Sequence, residues 1–242
     1  MKCCRYFLCF AFALLLPLPS LSLCGAPQPR LVRAEYFASQ LVVEATLVRT
    51  RDIHDKDDPE GILARVYTLR VNKVLRGKTS GIITVYEGND SGRASFYWLP
   101  KSVYLLFLFH MPEEKSWVLE GCGNSDLLSK SRQALREITA IKTTYREGLI
   151  QGLVSDQSMA SPIPEARVEA LGVAGKFVAE TDKNGEFRIH VPPGKYSVRV
   201  ADEKGVNYEA SEFSYSNPKE VRLEPGSAVQ IQFVQVATPP AR

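Results

Sequence analysis

From residue 149 to residue 236 the chain is a succession of short apolar and β-branched runs broken by turn residues. This pattern restricts the fold more than anything else in the sequence. Seven runs stand out, at 149–154, 166–171, 177–181, 186–191, 196–201, 220–223 and 229–236. Between them lie Asn184-Gly185, a dipeptide suited to the positive φ angles of a two-residue hairpin, and Pro192-Pro193-Gly194. Runs this short, with turns at intervals of roughly 8–12 residues, predict a β-sandwich. No cysteine lies in this half. Its stability must therefore come from burying residues such as Val168, Phe187, Ile189, Tyr196, Val198 and Ile231.

The preceding half carries a second pattern. Residues 41–48 are apolar and β-branched, and an acidic loop over 52–61 follows. Residues 65–75 alternate polar and apolar, the period of a half-buried strand, and 82–86 resume after a turn at 76–81. Residues 102–109 are continuously apolar, as in a strand buried on both faces. Residues 117–119 follow a polar hairpin. Five strands at this spacing predict a small barrel or sandwich. A helix over 125–147 is then expected, with Ser125 as its cap and Gly148 at its end. Leu128, Leu135, Ile138, Ile141 and Tyr145 fall on one stripe near the 3.6-residue period. Its polar faces mix Lys130, Arg132, Arg136 and Glu137, which suits packing on the barrel better than lying on a membrane. The expected fold class is all-β in two domains, 23–148 and 149–236, with 237–242 a disordered tail.

The first 22 residues read as a targeting signal. Lys2 and Arg5 precede an apolar run of about ten residues, half the roughly 20 needed to span a bilayer, and Pro17 and Pro19 end it. A stable membrane span is not expected. Ser20-Leu21-Ser22 places cleavage after Ser22, with cleavage after Cys24 as the alternative. A lipid anchor would acylate Cys24, but Leu23 is bulkier than the small residue that such a site normally carries. Secretion or export to a periplasm follows. Removal of the signal takes away Lys2 and Arg5, so a net charge of +3 becomes +1. Cys3, Cys4 and Cys9 leave with it, so Cys24 and Cys122 remain from five cysteines. An oxidising compartment makes a disulfide the default for two cysteines. Cleavage after Cys24 would instead leave Cys122 as a lone thiol. With 30 basic and 27 acidic residues and no basic block, the footprint of a nucleic-acid binder is missing.

Two resemblances sit on these residues. Thr181-Asp182-x-x-Gly185-x-Phe187, followed by Pro192-Pro193-Gly194-x-Tyr196, resembles the carboxypeptidase regulatory-like domain, a seven-stranded transthyretin-like sandwich. Asp182 can bond the turn backbone, Gly185 accepts a positive φ, and Phe187 and Tyr196 fill the core. That family implies an appended folding or adhesion module without catalytic residues. The first half resembles the netrin-like domain of tissue inhibitors of metalloproteinases, a five-stranded OB-type barrel. The likeness rests on residues 37–48, Tyr67-x-Leu69-x-Val71-x-x-Val74-Leu75-x-Gly77-Lys78, Tyr104-Leu105-Leu106-Phe107 and Cys122-Gly123-Asn124-Ser125. It implies a Cys24–Cys122 disulfide. Those inhibitors chelate a protease zinc through a terminal Cys-x-Cys, whereas this chain has Cys24-Gly25-Ala26.

Other candidate sites read as ordinary structure. Asp55-Lys56-Asp57-Asp58-Pro59-Glu60 lacks the spacing of a calcium loop and reads as a solvated connection. His54, His110 and His190 are not at ligand spacing, so no metal or cofactor is expected. Cys122 with His110 as base would give a thiol nucleophile, against which stands the disulfide. No Gly-x-Ser-x-Gly occurs. Residues 121–125 turn into a helix N-terminus able to hold an anion, although capping by Ser125 and Asp126 accounts for them more economically. Tyr97, Trp98 and Trp117 are placed to stack on a sugar or peptide, or to pack a barrel rim. The expected function is that of a secreted, non-enzymatic interaction or adhesion protein whose partner is an extracellular protein or a glycan. A metalloprotease inhibitor acting through Cys24 is the first alternative, and a divergent extracellular hydrolase the second.

Overall fold

The computed structural model describes residues 30–58, 60–89, 96–111, 116–201, 206–211 and 216–236. The expected signal peptide over 1–22, Cys24 and the tail over 237–242 lie outside the described residues.

A short helix, α1 (Val32–Ala38), comes first. Then come β1 (Leu41–His54), β2 (Ile62–Arg76), β3 (Ile82–Gly88), β4 (Val103–Met111), β5 (Ser116–Leu119) and a two-residue β6 (Asp126–Leu127). The hydrogen-bonded order is β1-β2-β3-β5-β4, and β4 also pairs with β1, which closes a five-stranded barrel. β3 and β5 run parallel. This is the OB-type arrangement. Alternate residues of β1 (Leu41, Val43, Ala45, Leu47) fill the barrel with Tyr67, Leu69, Val85, Tyr104, Leu106 and Leu108. The outer face of β1 and β4, through Val42, Leu105 and Phe107, lies beneath α1 and a second helix, α2 (Arg132–Thr143). The continuous apolar run of β4 thus has a physical cause, burial on both faces.

Helix α2 is shorter than its apolar stripe predicts. Ser125 is not its cap: the Ser125 hydroxyl accepts the Phe107 N–H at 2.9 Å, and Asp126 and Leu127 pair with β4 as β6. Leu128 joins the apolar cluster from a turn, and Gly148 already belongs to the next strand.

The second unit comprises β7 (Gly148–Ser155), β8 (Arg167–Gly172), β9 (Gly175–Glu180), β10 (Glu186–Val191), β11 (Gly194–Val200), β12 (Asn207–Ala210), β13 (Val221–Leu223) and β14 (Ala228–Val236). Two four-stranded sheets, β10-β7-β14-β12 and β13-β11-β8-β9, enclose the core of Phe187, Ile189, Tyr196, Val198 and Ile231. β12 adds an eighth strand to the seven expected. Of its four residues, Tyr208 packs against the core, too weak a pattern to read as a strand.

On the outer face of β8, Glu169 gathers three cations. Arg199, its direct cross-strand neighbour, donates at 2.9 Å, Lys176 lies at 2.5 Å and Arg167 at 3.4 Å. The hydrogen bonds from Lys176 and Arg199 hold the Glu169 carboxyl below its ordinary range. A depressed carboxyl stabilises the fold above the ordinary glutamate range, and that contribution is lost as pH falls from there through the lower folded-state value. The Glu169→Gln variant is therefore expected to be less stable at pH 7 by on the order of 1 kcal/mol, because the cations are partly solvated. The gap should begin to narrow as pH falls below the ordinary glutamate range, about 4.3, and shrink further toward pH 3. Urea titrations of both proteins from pH 3 to 8 check this; a pH-independent gap excludes the ionic account.

Candidate functional site: the cleft between barrel and sandwich

The barrel and the sandwich meet along α1, and the residue that joins them is Arg33. Its Nε donates to the Gly226 carbonyl at 2.9 Å, and its Nη2 donates to Ser227 at 3.1 Å and Glu147 at 3.2 Å. The guanidinium also lies 4.0 Å from the centroid of the Tyr145 ring. Burial lowers the Arg33 pKa, against the opposing pull of Tyr145 and the Glu137 carboxylate, while its three hydrogen-bond acceptors are neutral carbonyls. The apolar side of the same junction is small: Ala34 packs with Leu149 and Ala228. The Leu31 N–H reaches Gln230 Oε1 at 3.0 Å.

Two residues further on, Glu35 is fully buried and fastens α1 to the loop carrying Cys122. Its Oε2 accepts the Asn124 N–H at 2.7 Å and Asn124 Nδ2 at 2.6 Å. Arg30 Nη1 stands 3.9 Å from Oε1 and also contacts Glu120. Burial pushes the Glu35 carboxyl up, against the opposing pull of Arg30 and Asn124. Gly123 is required here, since a Cβ on it would come 2.1 Å from Glu35 Oε1. Cys122 is disulfide-bonded. A disulfide sulfur has no thiolate, so it cannot act as the nucleophile considered above. Cys24, its expected partner, lies outside the described residues.

Over this junction opens a cleft of about 770 Å³ walled by both units. Asn124 and Ser125 come from the barrel loop and Asp126 from β6, Lys130 and Ser131 from the turn before α2 and Gln133 from its first turn. Gln151, Arg188 and His190 come from β7 and β10, with Arg33 among the lining residues. Alternation places Arg188 and His190 on the solvent side of β10, with Phe187 and Ile189 inward. His190 stands 3.8 Å from Glu147. The first turn of α2 holds no acidic side chain, and Ser131 makes no side-chain cap because its hydroxyl donates to Leu127 O at 2.9 Å.

Of the residues singled out in the sequence, Ser125, Asp126 and His190 line this cleft, whereas the signature residues of the second unit lie elsewhere and build the β9–β10 hairpin and the sandwich core. Thr181 Oγ1 accepts the Ala166 N–H at 2.8 Å and donates to Ile163 O at 2.7 Å. Asp182 Oδ1 accepts Asn184 N–H at 2.8 Å and Glu186 N–H at 2.9 Å, and Gly185 has φ +73°. Phe187 is buried in the sandwich core, and the Tyr196 hydroxyl donates to Pro192 O at 2.7 Å beside exposed Pro193 and half-buried Gly194. In the barrel, Trp98 stacks on Tyr67 at 4.3 Å, Trp117 meets His110 edge-on, and Tyr97 is exposed. Among the described residues no three His, Cys, Asp or Glu side chains form a metal-binding group. No described helix is long and apolar enough to cross a membrane. Sequence reading missed Arg33, Gln151 and Arg188. Arg33 takes its role from partners more than 100 residues away, at separations of 193, 114 and 194, and Gln151 and Arg188 face each other across β7 and β10.

Residues 149–235 match the carboxypeptidase regulatory-like domain family. The second half of the chain is thus a domain of that class. No curated protein matches the chain. Among solved structures, the Bacillus anthracis TIE protein shares 10% identity at a TM-score of 0.29, over 80% of this chain and 31% of its own. A streptococcal ancillary pilin shares 13% at 0.29, over 81% and 62%. GBS52, the minor pilin of Streptococcus agalactiae, shares 14% at 0.28, over 84% and 87%. The chain therefore spans less than two thirds of the length of the first two.

Proposed function

We propose that this chain is a secreted, non-enzymatic interaction protein that holds its partner in the cleft between barrel and sandwich. The observation that carries this reading is the composition of the cleft, walled by both units and fixed by the Arg33 bridge. Rigid units with a shared polar cleft present a preformed surface, so little ordering cost is added when a ligand enters. Signal removal after Ser22 and a Cys24–Cys122 disulfide belong to the same proposal. The regulatory-like domain supports it as a module that builds a wall rather than a reaction centre.

Gln133 is exposed at the mouth, so Gln133→Trp fills the cleft without touching the core. The expected result is loss of binding to immobilised extracellular proteins and glycans with unfolding free energy changed by less than about 0.5 kcal/mol. Equal retention by wild type and variant removes the cleft from the reading.

A second reading is inhibition of a metalloprotease by a netrin-like barrel. The closed β1-β2-β3-β5-β4 order and the disulfide at Cys122 favour it. It requires a mature N-terminus at Cys24, and inhibition that disappears when that amine is acetylated. N-terminal sequencing of the exported protein that returns Leu23 or Gly25 rejects it.

A further inference from the structure

We propose that the cleft binds an acidic saccharide, a short sugar chain carrying carboxylates, with Arg33 and Gln151 as its recognition groups. The inference deepens the interaction reading above and rests on it. Arg33 is nine-tenths buried, and its Nε and Nη2 hydrogen bonds go to neutral carbonyls. Its Nη1 makes no hydrogen bond to the described residues, and no described carboxylate forms a salt bridge with the guanidinium, Glu137 acting on it only at longer range. A cation held in this way attracts an anionic oxygen strongly, because the low-dielectric surroundings screen it little. Gln151, equally buried on β7, lines the same cleft, and its amide has no hydrogen-bond partner among the described residues. A buried amide facing an open cleft calls for a ligand that both donates and accepts hydrogen bonds.

The rest of the lining narrows the ligand class. Lys130 and Arg188 are exposed at the mouth and add positive charge, and the uncapped first turn of α2 adds N–H donors. Asp126 and Glu137 line the cleft as well. They repel the carboxylates of any acidic ligand, so they favour one that spaces its carboxylates among many hydroxyl donors, as an acidic sugar does, over a peptide with a carboxylate on every residue. A ligand with carboxylates for the cations and hydroxyls for Gln151 and Asp126 satisfies both sets. The volume of about 770 Å³ suits a short oligosaccharide and excludes a folded domain.

Titration calorimetry with trigalacturonate at low ionic strength tests this. The controls are its methyl ester, which keeps most hydroxyls and loses the charge, and triglutamate, which keeps the charge without hydroxyls. Trigalacturonate is expected to bind, and to bind at least about tenfold more weakly to Gln151→Leu and to Arg188→Glu. The methyl ester should lose at least as much, and affinity should fall with added salt. Arg188 is exposed on its strand, so the second variant separates recognition from folding. Equal affinity for acid and ester, or for wild type and both variants, overturns the proposal. Triglutamate binding as tightly as the saccharide overturns it in favour of an acidic peptide. If trigalacturonate does not bind while Gln133→Trp still abolishes capture of another ligand, the proposal falls and the interaction reading stands. Release of shortened saccharide would overturn the interaction reading itself.

Discussion

Gly152→Ala is expected to destabilise the sandwich by about 3 kcal/mol, at the upper end of what overpacking a core normally costs. Gly152 lies in the middle of β7, opposite Phe187 of β10 on one side and Ile231 of β14 on the other. A Cβ built there would stand 1.7 Å from the Ile231 carbonyl oxygen and 2.9 Å from the Phe187 ring. The nearest obstacle is backbone, so no rotamer change relieves the contact. β7 must move away from β14, which strains the parallel ladder between them and displaces a ring at the centre of the core. Both tryptophans, Trp98 and Trp117, belong to the barrel, so their fluorescence follows that unit and calorimetry follows the whole chain. The expected result is a calorimetric transition lowered by roughly 6–12 °C. An unchanged transition would mean that the two strands tolerate a wider separation than their hydrogen bonding implies.

Much of the sandwich was legible because β10 and β11 alternate strictly, with Phe187, Ile189, Val191, Tyr196, Val198 and Val200 buried and their neighbours turned out. The barrel was legible for the same reason, and the unbroken run of β4 announced burial on both faces. What the sequence did not reveal was decided by distant partners. Helix α1 is seven residues long and buries Arg33 and Glu35, so it has no apolar stripe to read and exists because both units pack against it. Ser125 looks like a helix cap from its neighbours alone. It serves β4 instead, because the Phe107 N–H beside it needs an acceptor. An isolated glycine within a strand pattern is a signal for close backbone approach, and Gly152 carries that signal. No comparable local signal marks Arg33 or Gln151, and the cleft they line was not foreseen.

Cys122→Ser is expected to cost 2–5 kcal/mol, the usual loss when a native disulfide is removed from a small secreted domain. Cys122 is disulfide-bonded, and it sits in the loop that Glu35 and Asn124 tie to α1. With Cys24 as partner, the closed loop would hold nearly a hundred residues, for which chain entropy alone gives about 4.7 kcal/mol. Cys24→Ser should then lower stability by the same amount as Cys122→Ser, and the double variant by no more than either single change. Such complete non-additivity identifies two residues that act as one bond. Urea midpoints at pH 7 supply the energies. Thiol labelling of the denatured mature protein supplies the chemistry, with none reactive in the wild type and one in each single variant. Additive losses, or a reactive thiol in the wild type, would reject the Cys24–Cys122 pairing. Rejection would leave the N-terminal segment untied to the barrel by a disulfide at Cys24, and with it would go the support that the pairing lends to an inhibitor acting from Cys24.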